Sequence, residues 1–215
     1  MPLLTCADVL DSLRDAVRDY DVKEVCQTDL KPLSVMLLSE LYAKCYGKRY
    51  KYAYLHVNNM NTDKYRKWVL QWVKREFHLN IEDYECVVDL NIMHGIRDPY
   101  KVLITAESEA YSPEAAALSK GEDDEENDML RDLYKLLHYP SPLRLFITLS
   151  SDENHNSLLR KTSQKIAAYA DILASCDIFA VQVPTGKLSS HTCTIAHWKR
   201  KDHKKKAQTL MERLL

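Results

Sequence analysis

Glycine is scarce in this chain, 4 of 215 residues, which disfavours a glycine-rich loop wrapped around a phosphate. No apolar run approaches the roughly 20 residues that a membrane helix needs. The N-terminus lacks the basic, apolar, then small-residue order of a secretory signal. Neither sign of charge dominates. With 30 Lys and Arg against 31 Asp and Glu, only the distribution of charge can speak for or against nucleic acid. The cysteines (Cys6, Cys26, Cys45, Cys86, Cys176, Cys193) are scattered and never form CxxC. Reduced, mostly buried thiols in a cytoplasmic chain with no membrane partner are therefore expected.

What is present is an ordinary globular balance and length enough for one domain with a real core. Residues 6–20 carry Val9, Leu10, Leu13, Ala16, Val17 and Tyr20 at helical spacing. A break is expected at Lys31-Pro32, then a helix over 33–46 ended by Gly47. Tyr50 to Val57 reads as a strand, and Thr62 to Phe77 as a helix with Trp68 and Trp72 on its core side. Strands over 87–92 and 102–109 follow, then an acidic loop, a helix to about His138 and a strand over Leu143–Leu149. The remainder reads as a helix over 157–175, strands over 178–183 and 191–197, and a terminal helix over 203–214. This order predicts a single α/β domain, a mixed central β-sheet flanked by helices. Residues 1–32 read as a helical lead-in, 33–150 as the core and 151–215 as a helix–strand–helix extension.

The two strands Val87-Val88-Asp89-Leu90-Asn91-Ile92 and Val102-Leu103-Ile104-Thr105-Ala106-Glu107-Ser108-Glu109 are apolar enough to be buried, yet carry three carboxylates at or near their ends. Buried charge is costly unless something pairs with it or binds it. Glu107 and Glu109 share a strand face, ~7 Å apart. A hairpin centred near residues 96–97 puts Asp89 opposite 104–105 and diagonal to Glu107. A hard divalent cation would relieve the repulsion of the set. On the next helix Asp128, Asp132 and Lys135 share one stripe, and Lys135 could reach back to the sheet. The plainer alternatives are acids at solvated strand ends and an exposed Asp132–Lys135 pair.

Asp89, the Glu107-Ser108-Glu109 strand end, the helix Asp132-Leu133-Tyr134-Lys135-Leu136-Leu137 and the strand Leu143-Arg144-Leu145-Phe146-Ile147 together resemble the restriction-endonuclease-like PD-(D/E)XK superfamily. The resemblance implies a restriction-endonuclease-like fold and metal-dependent hydrolysis of phosphodiester bonds, with DNA the expected substrate and Mg²⁺ or Mn²⁺ the cofactor. It gives Asp89 and Glu107 to the metal, with Glu40 as a further acid from an early helix. Glu109 stands where most members carry lysine, and Lys135 would supply that lysine from the helix. A nuclease-fold binding or regulatory protein without catalysis is the alternative. A homodimer is left open. Glu40 could equally form a helical pair with Lys44.

Two basic stretches could meet a nucleic-acid backbone: Lys48-Arg49-Tyr50-Lys51, and Lys199-Arg200-Lys201 through Lys204-Lys205-Lys206. The alternatives are a solvated strand edge and a solvated tail. His191, His197 and His203 form no zinc spacing with Cys193, and Ser39, Ser108 and Ser150 lack a nucleophile elbow.

Overall fold

The computed structural model describes residues 4–25, 27–47, 53–57, 64–83, 88–95, 101–110, 131–150, 152–171, 173, 175–202 and 206–215. In chain order the elements are α1 (Cys6–Asp19), β1 (Glu24–Val25), α2 (Gln27–Tyr46), β2 (Ala53–Val57), α3 (Lys64–Phe77), β3 (Asn80–Asp83), β4 (Leu90–His94) and β5 (Lys101–Ala110). There follow α4 (131–138), β6 (Leu143–Ser150), α5 (Asp152–Ala168), β7 (Asp177–Pro184), β8 (Gly186–Lys187), β9 (Thr192–Trp198) and β10 (Gln208–Arg213). Eight strands make one mixed sheet in the order β10-β9-β7-β6-β5-β4-β2-β3. The expected α/β domain with a mixed sheet between helices is what forms. Strands β5, β6 and β7 run parallel, and β4 and β2 continue antiparallel from β5. No helix among the described residues is long and apolar enough to cross a membrane.

Local chemistry explains the helices. Thr5 caps α1, its side chain accepting from the Asp8 backbone N–H while Asp8 reaches back to the Thr5 N–H at 2.8 Å. Helix α2 is apolar nearly all round, with Leu33, Met36, Leu37, Leu38 and Leu41 at 1% exposure or less, as expected of a helix enclosed by neighbours. Each such side chain contributes roughly 1.5–3 kcal/mol relative to exposure. Its buried serines satisfy themselves locally: Ser34 donates to Leu30 O and Ser39 to Val35 O. The far end of α2 is tied to β5, where the Tyr46 hydroxyl donates to Leu103 O at 3.3 Å.

Residues paired across neighbouring strands share a sheet face. Ala106 and Leu145 face the core built with α1, α2 and α3. Glu107 is paired with Phe146, which packs with Leu133, Leu136 and Leu137 of α4 on the other face. Acidic Glu107 thus points under α4, between the sheet and the helix.

Several expectations are corrected. The break at Lys31-Pro32 does not occur: Pro32 lies inside α2. Proline forfeits one helical hydrogen bond there, and the burial of the apolar residues around it outweighs that loss. The terminal helix over 203–214 is instead strand β10, antiparallel to β9. Leu210 and Leu214 are four residues apart, a spacing that serves a helix or a strand equally, and pairing with β9 decides. The last part of the chain is therefore helix followed by strands, and β7, β9 and β10 extend the same sheet as β5 and β6. Trp72 is in the core at 6% exposure, but Trp68 is 43% exposed and leans on Tyr20. Strand β4 starts at Leu90, so Asp89 precedes it in a bend.

Candidate active site

The C-terminal end of β5 gathers side chains from α2, the bend before β4, β5 itself and α4. The β4–β5 register pairs Leu90 with Ala106 and shifts between Ile92 and Met93. Asp89 therefore falls beside Glu107, not opposite 104–105 as a tight hairpin would have it. The Asp89 backbone N–H donates to Glu107 Oε2 at 3.3 Å.

The Asp89 carboxylate turns to the α2 side. Its Oδ2 accepts from the Ser108 N–H (3.3 Å) and the Ser108 hydroxyl (3.1 Å), and its Oδ1 accepts from Lys31 Nζ at 3.1 Å. Strict strand alternation would put Asp89 on one face with Glu107 and Glu109; its carboxylate lies on the other side instead. It straddles the sheet end, with its carboxylate on one side and its N–H on the other.

On the α4 side, Glu107 is 2% exposed, and its Oε1 has no hydrogen-bond partner among the described residues. Burial, and then the charges of Asp89 and Asp132, push its carboxyl up to about 9, with Lys135 opposing. Glu109 is pushed up to about 8 by burial, by its hydrogen bond with Asp132 and by the charges of Asp132 and Asp89. Lys135 forms an ion pair with Asp132 in its own helix, and that bond holds its ammonium above the usual lysine range. Asp89 and Asp132 are each paired with a lysine, and burial beside these acids shifts both glutamates toward the protonated form.

The structure thus brings Asp89, Glu107, Glu109 and Lys135 together, and adds Lys31, Ser108 and a buried Asp132 (3% exposed). Asp132 is not the surface partner that its charged stripe suggested. Lys31 stood next to the expected helix break, which hid its position. Among the described residues no three His, Cys, Asp or Glu side chains converge closely enough to hold a metal ion between them. The oxygens suited to a hard cation are nevertheless here. Besides Glu107 Oε1, the hydroxyls of Thr105 and Thr148 are buried on the same sheet face with no partner among the described residues.

No protein-family model, curated protein or solved structure matches this chain.

The remaining candidates lie elsewhere. Glu40 is on α2 but its charged neighbours are Asp15, Arg18, Asp19 and Lys44, so it is not placed with Asp89 and Glu107. Burial and the acids of α1 raise its carboxyl above the ordinary range. Lys48, Arg49 and Lys51 lie outside the described residues, as do Lys204 and Lys205. Arg200 is no free phosphate ligand: its guanidinium clamps Asp177 Oδ2 with Nε at 2.8 Å and a second nitrogen at 2.5 Å. His197 Nε2 sits 3.1 Å from Asp177 Oδ1, and its ring stacks on Phe179 at 4.0 Å, a structural role. Lys199 is partly exposed and Lys206 exposed. Asp177 pairs with Leu143 at the start of β6, while Glu109 pairs with Thr148. Five residues of strand, ~17 Å, therefore separate Arg200 from the acidic site.

Proposed function

We propose that this protein is a metal-dependent nuclease that hydrolyses phosphodiester bonds, with DNA as its substrate and Mg²⁺ or Mn²⁺ as its cofactor. The observation that carries this reading is the meeting of Asp89, Glu107, Glu109 and Asp132 at one sheet end, with Glu107 Oε1 buried and lacking a partner among the described residues. Support also comes from the helix–strand arrangement around the site: α2, then β2, β4 and β5 as antiparallel neighbours with α3 and β3 inserted between β2 and β4, then α4 and β6 parallel to β5.

Glu107 and, once its Oδ1 leaves Lys31, Asp89 would hold the ion through carboxylate oxygens, the ligands that a hard cation takes. When bound, the ion supplies polarisation of a phosphate oxygen and a more acidic water. Glu109, with its carboxyl near neutrality, is suited to hold or accept a proton there. Lys135 balances Asp132 and adds positive charge beside Glu107. The alternative, a nuclease-fold protein that binds without cutting, is favoured by one observation: Lys31 and Lys135 already neutralise the two aspartates.

The test is incubation with single- and double-stranded DNA and RNA in Mg²⁺, Mn²⁺ or chelator. Cleavage should need the metal, be lost in Asp89→Asn, Glu107→Gln and Lys135→Ala, and persist in Lys101→Ala at the far end of β5. Metal-independent cleavage, or full activity in folded Glu107→Gln, overturns the reading. Binding with no cleavage of any substrate selects the alternative.

A further inference from the structure

We infer that Lys31 is the site's built-in counter-ion: its ammonium competes with divalent cations for Asp89 and thereby sets the metal affinity. The inference rests on the metal-site reading above and names a control on that site. Both oxygens of Asp89 are engaged, but by groups of different mobility. Oδ2 is fixed by a backbone N–H and the hydroxyl of Ser108, inside β5, and cannot be freed without disturbing the strand. Among the described residues Oδ1 is held from α2 alone, by Lys31 Nζ at 3.1 Å. An ammonium on a flexible four-carbon stem can swing aside at little cost. The lysine and aspartate side chains are 26% and 20% exposed, so solvent can receive the displaced ammonium. A cation that takes Asp89 therefore has one low-cost route, eviction of Lys31 from Oδ1.

Lys31 differs in this from Lys135. Lys135 pairs with Asp132 three residues before it, so that bond neutralises charge within one helix. The Lys31–Asp89 bond joins residues 58 positions apart. It spans α2 and the bend before β4, and Lys31 also opposes the raised carboxyl of Glu109. Leu30 and Leu33 anchor the same stretch of α2 in the core.

The full chain is titrated with Mn²⁺ by calorimetry, as wild type, Lys31→Gln, Lys31→Ala, Lys31→Arg and Lys101→Ala, with circular dichroism as the check of folding. Loss of a charge-assisted bond of this kind should tighten Mn²⁺ binding about tenfold or more in Lys31→Gln and Lys31→Ala. Lys31→Arg, which keeps the charge, should show no gain, and Lys101→Ala should match wild type. The gain should vanish when Asp89→Asn is added to Lys31→Gln. If Glu107→Gln weakens wild-type binding while the neutral Lys31 variants bind no tighter, the counter-ion inference fails and the metal site stands. If neither wild type nor any Lys31 variant takes up Mn²⁺, the metal reading fails and the inference with it.

Discussion

Glu107 takes a hydrogen bond from the backbone N–H of Asp89 at 3.3 Å while the Asp89 carboxylate faces away toward Ser108 and Lys31. The two acids are coupled through charge and backbone, with their carboxylates on opposite sides of the sheet end. Glu107 is left with one buried oxygen that no described group satisfies, and its carboxyl stays protonated where an ordinary glutamate would ionise.

That protonation makes stability fall as pH rises. Glu107 goes from an ordinary 4.5 up to about 9 in the fold. The folded state therefore binds the proton more tightly than the unfolded chain does. Its contribution is fully present below ~4.5 and is lost progressively as pH rises toward 9. Glu109, raised to about 8, acts in the same direction. Glu107→Gln keeps the shape and removes the ionisation. Its melting temperature in chelator at pH 8 should rise by roughly 5 °C, and the decline with pH should flatten. A variant that melts lower than wild type at pH 8 shows that the carboxyl is satisfied by a partner.

A divalent cation that binds only the folded state must stabilise it. Millimolar Mn²⁺ should raise the melting temperature of the wild type and leave that of Asp89→Asn/Glu107→Gln unchanged. Glu40→Gln should respond like wild type, because Glu40 faces Asp15 and Asp19 of α1. A lost response in Glu40→Gln alone restores it to the metal set.

The opposite end of the parallel strands has the opposite pH behaviour. Burial works to raise the Asp177 carboxyl, but bonds from His197 and Arg200 outweigh it and bring it down to about 2. Its contribution is present above ~3.8 and lost as pH falls toward 2. Asp177→Ala, which leaves His197 and Arg200 without their anion, should cost about 3–5 kcal/mol. Denaturant melts at pH 7 measure this. A cost below ~1 kcal/mol means the cluster is not a buried pair in solution. The response to Mn²⁺ should be unchanged in this variant.

Much of this was legible in the residues. The apolar spacing of α1 and the β-rich runs around Ile104, Phe146 and Val181 carry their own periodicity, and those elements form. The gathering of Glu107 and Glu109 followed from alternation along one strand. What was not legible depended on contacts distant in sequence. Lys31 meets Asp89 only because α2 runs on through Pro32, a residue that locally signals a break. Asp132 is buried because α4 lies against Glu109, which no pattern within 131–138 reveals. The identity of β10 turned on the edge of β9, since the Leu210/Leu214 spacing fits either period.

The basic tail gives the last prediction. Sequence density alone made Lys199 to Lys206 one phosphate-binding segment, but Arg200 is spent on Asp177. Arg200→Ala should therefore act on stability, lowering the melting temperature without changing how nucleic-acid affinity varies with salt. Replacing Lys204, Lys205 and Lys206 with alanine should do the reverse. Lys206 is exposed, and exposed charges contribute little to stability, whereas each phosphate contact releases a counterion and steepens the fall of affinity with salt. The triple variant should bind DNA more weakly at every sequence, with the log–log salt slope flatter by up to ~3 units. Because ~17 Å of strand separates Arg200 from Glu109, the metal response of Arg200→Ala should stay that of the wild type. Fluorescence anisotropy from low to moderate salt, in Ca²⁺ to support binding, measures both terms. An unchanged affinity and slope in the triple variant would mean that the tail is solvated and that DNA is held by other cations.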